Sequence, residues 1–104
     1  MAITKNTLRK EIDRVETLIG AYDIFEYSDK RTSNVILQKL NQELKLLITD
    51  ATAWIEKYRD NQNAINTFNR LESEHENLTE VNVVVLNLAV RTIDFVNYYI
   101  YDKN

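Results

Sequence analysis

The chain has no cysteine, no proline and a single glycine in 104 residues. Without cysteine there is no disulfide framework, no thiolate metal site and no thiol nucleophile. Tight turns and β-hairpins draw heavily on glycine and proline, so a chain almost free of both reads as helical. Long hydrophobic runs are also missing. The longest apolar block, Val83 to Val90, is broken by Asn87 and is too short to span a bilayer, so no membrane partner is expected. No apolar segment follows Met1, so no signal peptide is expected and the expected location is cytoplasmic. Charge of one sign does not accumulate either: the formal net charge is −3, with acids and bases interspersed. The densest run, Glu72, Glu74, Glu76 and Glu80, would repel phosphate, which excludes the basic footprint of a nucleic-acid binder.

What is present is helical periodicity. From Val35 to Tyr58, the residues Leu37, Leu40, Leu44, Leu47, Ala51, Trp54 and Tyr58 recur at alternating steps of three and four, with Ile36, Ile48 and Ile55 beside them. At roughly 100° per residue they fill one arc of about 120°. Trp54 stands within this stripe, so it is expected to pack in the core. Leu8, Ile12, Val15, Leu18, Ile19, Tyr22 and Phe25 make a second stripe, opening near Thr4 to Thr7, where hydroxyls can cap free N–H groups. Lys10, Glu11, Asp13 and Arg14 read as ordinary surface charges along it. Gly20 lies mid-helix and off the stripe, which suggests a tolerated defect or the close approach of another backbone. Tyr27 to Ser33 is the clearest loop, with no apolar residue from Ser28 on and Thr32 or Ser33 as the next N-cap. A third helix follows over residues 62–76, and Thr79 is the expected cap of the last one. As a helix, Val81 to Tyr101 is apolar over about 200° of its circumference, leaving a polar wedge with Glu80, Asn87, Arg91, Asp94 and Tyr98. Val83, Val90 and Tyr101 fall just outside its main arc. Such a helix is either central in its fold or meets another molecule.

The expected fold is therefore a single all-α domain over residues 1–104, an antiparallel bundle of three to four helices at about 5–27, 33–59, 62–76 and 79–102.

Chemistry finds little purchase. His75 is the only histidine, with Glu72 three residues before it. A Glu-x-x-His step is half of a di-iron carboxylate site, but the second histidine is missing. The reading is a histidine paired with Glu72, with no metal and no cofactor. Ser73 points about 160° away from His75 on a helix, which leaves no nucleophile–base pair. Of the carboxylates, only Glu72 reads as lying inside an apolar stripe, the setting in which catalytic acids are usually perturbed.

Two stretches resemble known families. Leu8-Arg9-Lys10-Glu11-Ile12-Asp13-Arg14 resembles the opening helix of all-helical chorismate mutases. That family needs further inward cations along this helix, and Val15 to Tyr27 contains no Arg or Lys. A mid-chain Trp54, with Tyr98 four residues before Asp102, resembles the helical hairpins exported by type VII secretion. That family has a glycine two residues after its tryptophan, where this chain has Glu56.

The sequence thus points to a small non-catalytic interaction module of inhibitor, immunity or regulatory type, acting through a helix face on a protein partner and forming a homodimer. Val83, Val90, Tyr98 and Tyr101 are its candidate interface residues. A secretion-linked helical protein and a helical-bundle enzyme are the alternatives. The abundance of Asn, Ile and Tyr fits a phage or low-GC bacterial origin.

Overall fold

Three of the four helices begin where a side-chain oxygen takes up a free backbone N–H. In the computed structural model, which describes residues 2–101, these are α1 (Lys5–Phe25), α2 (Lys30–Tyr58) and α3 (Gln62–Glu76), followed by α4 (Val84–Val96) and a π-helical turn, Asn97–Tyr101. Thr4 Oγ1 accepts from Thr7 N at 3.1 Å, as the hydroxyl-rich N-terminus predicts. Asn61 Oδ1 accepts from Ala64 N at 3.2 Å and opens α3 where residues 62–76 were expected.

Two starts differ from expectation. The second helix begins earlier, at Lys30, because Asp29 and not Thr32 or Ser33 is its cap. Asp29 Oδ1 accepts from Thr32 N at 3.1 Å, and its Oδ2 accepts from Thr32 Oγ1 at 2.7 Å. The last helix begins later than Thr79. Asn82 Oδ1 takes the Val84 N–H at 2.9 Å, a local bond that competes with helix, and the β-branched Thr79, Val81 and Val83 favour it weakly. The first helix ends at Phe25, with Tyr27 in the turn beyond.

Short connections turn each helix back along the one before it, and side-chain bonds tie the neighbours together. Arg14 of α1 meets Glu43 of α2 at 3.1 Å, Asn41 of α2 meets His75 of α3 at 2.8 Å, and Glu74 of α3 meets Arg91 of α4 at 2.8 Å. The Tyr101 hydroxyl then donates to the Lys5 carbonyl at the start of α1. The result is an all-α, up-down-up-down four-helix bundle. Its dimensions are 45 × 27 × 27 Å. The long axis is the length of α2, whose 29 residues span about 43 Å at 1.5 Å each.

The predicted stripes form the core. Leu40, Leu44, Leu47 and Ile55 of α2 meet Leu8, Ile12 and Val15 of α1, with Phe68 and Leu71 from α3. Tyr58, at the end of the α2 stripe, stays half exposed. Trp54 is in the core as expected. The wide apolar arc of α4 also has its account here. Val85, Leu88, Ala89, Ile93, Val96 and Ile100 are buried, and α4 packs against α1, α2 and α3. Of the two readings of that arc, the central helix accounts for most of it.

Candidate functional site

The candidate interface residues separate. Val83, Val90 and Tyr98 are exposed, while Tyr101 packs half-buried against the core. The π-helical turn explains the difference. With i→i+5 bonding each residue advances less around the axis, so a wheel drawn at 100° misplaces the side chains after Val96. The turn brings the Tyr101 ring under the Arg9 guanidinium at 4.3 Å and its hydroxyl onto α1. Nor is the outer face of α4 continuously apolar, since exposed Asn87, Asp94 and Asn97 stand among Val83, Val90 and Tyr98.

Several of the exposed apolar residues lie instead at one end of the bundle, while Leu46, Tyr58, Val90 and Tyr98 are exposed elsewhere. The α1–α2 turn presents Ile24, 72% exposed, and Tyr27, 92% exposed, with Phe25 between them. Val83 and Val84 stand exposed at the neighbouring start of α4. Tyr22, Tyr27, Leu37, Val81 and Val83 line a cavity of about 360 Å³ at this end, with Lys30 at its rim. Tyr27 heads a polar run that reads simply as a loop, so no helix face in the sequence points to it.

Alongside runs an open groove of about 350 Å³ between α1 and α4, lined by Glu16, Ile19, Gly20, Val90, Ile93 and Asp94. A Cβ built on Gly20 would meet nothing within 4 Å, so no neighbouring segment of this chain demands the glycine. A helix-interior glycine costs about 1 kcal/mol against alanine. The fold therefore carries that cost without an internal steric reason.

One buried acid was misread as a surface charge. Glu11 is 3% exposed between Leu8 and Val15, and its Oε1 has no hydrogen-bond partner. Burial pushes its carboxyl up to about 8; the neighbouring Asp50 carboxyl of α2 pushes the same way, while Arg14 opposes them. Glu11 therefore holds its proton at neutral pH. The signal was available: Glu11 is three residues after Leu8 and four before Val15, and Asp50 stands likewise between Leu47 and Trp54. Both carboxyls fall within the apolar stripes of two adjacent helices.

His75 does not pair with Glu72. Its Nε2 bonds Asn41 Oδ1 at 2.8 Å, and burial pushes the imidazole below its ordinary value, which leaves it neutral at pH 7. The cavity beside it is about 30 Å³, room for a water and not for a substrate. Among the described residues, no three His, Asp or Glu side chains gather as metal ligands, and no helix is long and apolar enough to cross a membrane. Asp102, the second half of the secretion-like tyrosine step, lies outside the described residues.

Compared with known protein families, characterised proteins and solved structures, the chain matches none of them.

Proposed function

We propose that this chain is a small non-catalytic protein-binding module of inhibitor, immunity or regulatory type. The observation that carries the reading is the apolar end of the bundle. Ile24, Tyr27, Val83 and Val84 remain in water although the chain fills its core with other residues. Isolated surface apolar residues are ordinary, but Tyr27 and Val83 share the lining of one cavity among polar neighbours, which is the composition of a protein interface. Three wider cavities, of about 270, 350 and 360 Å³, are open surface features, and the one beside His75 is too small for a substrate, which favours binding over catalysis.

The test is photo-crosslinking in the source cell, with the crosslinker placed at Tyr27, at Val83 or at Gln42. Gln42 is an exposed polar position on α2 and serves as the control. A discrete adduct from Tyr27 and Val83, absent from Gln42, is expected. Equal labelling at all three would remove the basis of the reading. Light scattering of the untagged protein, with and without Val83→Lys, shows whether that adduct is a second copy. If it is, the Lys variant dissociates the dimer without lowering the melting temperature.

A further inference from the structure

We propose that the groove between α1 and α4 docks an amphipathic helix of a partner protein whose apolar stripe is flanked by lysines or arginines. The inference rests on the protein-binding reading and names the partner's chemistry.

The groove offers apolar walls and a stretch of bare backbone. Ile19, Val90 and Ile93 give it apolar walls, and Gly20 presents bare backbone where any other residue would project a side chain. A helix laid between two others contributes apolar residues at i, i+3, i+4 and i+7, and a glycine opposite lets the two backbones approach. A glycine that nothing within the chain requires is then accounted for by something outside it.

Charge selects the occupant. Glu16 on α1 and Asp94 on α4 line the groove, both are exposed, and no cation lines it. From Val15 to Phe25, α1 carries Glu16 and Asp23 and no Lys or Arg. The one cation of α4, Arg91, is held by both oxygens of Glu74 from α3. A partner helix with cations on both flanks would reach Glu16 on one side and Asp94 on the other. A second copy of this chain, paired about a two-fold axis, would set Glu16 and Asp94 against their own like charges. An anionic membrane or a nucleic acid would meet the same repulsion.

The probe is a synthetic helix of about 18 residues with leucines at i, i+3, i+4 and i+7 and lysines on both flanks. It is titrated into the ¹⁵N-labelled full chain beside an isosteric peptide with glutamates for lysines. Saturable amide shifts are expected at residues 16–20 and 90–94 with the lysine peptide only. Affinity should fall at least about tenfold in the Glu16→Lys, Asp94→Lys double variant, and by a similar factor in Gly20→Leu. All three positions are exposed, so melting curves of the variants should stay within a few degrees of the parent. Absence of saturable shifts overturns the proposal, as does undiminished binding by the double variant. Shifts centred on Ile24, Tyr27 and Val83 would overturn the groove while supporting the apolar end. A dimer dissolved by Gly20→Leu would seat a second copy there and overturn the basic partner. The crosslinking at Tyr27 and Val83 reads out independently, so the two readings can fail separately.

Discussion

Both ends of this bundle expose apolar side chains, but they differ in how those side chains are partnered within the chain. At one end Trp54 packs on Tyr58 at 5.0 Å, with the Arg59 guanidinium 4.7 Å above the indole. Arg59 also donates to the carbonyls of Tyr99 and Ile100, at 3.4 and 3.3 Å, so two carbonyls of the π-helical turn have a side-chain partner. Arg9 covers Tyr101, whose hydroxyl reaches back to α1. At the other end Ile24, Tyr27, Val83 and Val84 have no comparable cover, and Tyr27 has no cation over its ring among the described residues. Hydrophobicity does not distinguish the ends. What distinguishes them is whether the chain supplies partners of its own, and an end left without them is where a different molecule can supply them.

The largest blow to that contrast falls on Phe68. It is fully buried, and its ring meets Tyr99 edge-on at 6.3 Å between α3 and the final turn. Phe68→Ala should cost about 3–5 kcal/mol in urea denaturation, a large part of the stability of a domain this size. A loss below about 1 kcal/mol would mean that the closed end is loosely held and that the contrast with the open end is false.

A smaller effect tests the seam between the ends, where Glu11 faces Asp50, with Glu43 and Arg14 nearby. The folded chain holds the Glu11 proton up to about pH 8, whereas the unfolded chain releases it near 4.5. The folded state thus binds the proton more tightly, and its contribution is fully present below pH 4.5. It is lost as the pH rises through 8, a fall on the order of a few kcal/mol. Glu11→Gln keeps the shape and removes the titration, so its stability should vary much less across that window. Parallel curves of denaturation midpoint against pH for the two proteins would show that Glu11 is not the group responsible.

The helices were legible in the sequence because their stripes are long and regular, and α3 was legible to the residue. The starts of α2 and α4 were less so. Asp29 caps α2 through bonds to Thr32, and Asn82 holds the Val84 N–H just before α4; both are local bonds that compete with those of equally polar neighbours. The turn after Val96 was hidden, because i→i+5 bonding has no signature in the spacing of Tyr98, Tyr99 and Tyr101. That misplacement put Tyr101 on the outside. Glu11 was legible and was missed: its neighbours Lys10, Asp13 and Arg14 made it look like part of a charged face, although its spacing from Leu8 and Val15 placed it inward. The apolar end could not be read from any single helix. It forms only when the α1–α2 turn meets the start of α4, as the shared cavity of Tyr22, Tyr27, Val81 and Val83 shows.

The finest test sets the ends directly against each other with one substitution at each. Arg59→Ala removes two donations to backbone carbonyls and the cation over Trp54, all partly exposed to solvent. It should cost about 1–2 kcal/mol in urea denaturation. Tyr27→Ser removes a side chain that is 92% exposed and makes no side-chain hydrogen bond, so its cost should lie within about 0.5 kcal/mol. The order of the two results decides the comparison. If Tyr27→Ser is the more damaging, the open end supports the fold itself, and its exposed residues need no partner to explain them. If Arg59→Ala alone is felt, Tyr27 contributes almost nothing to the isolated chain. A large aromatic kept in water without a structural return is then free to serve the proposed contact.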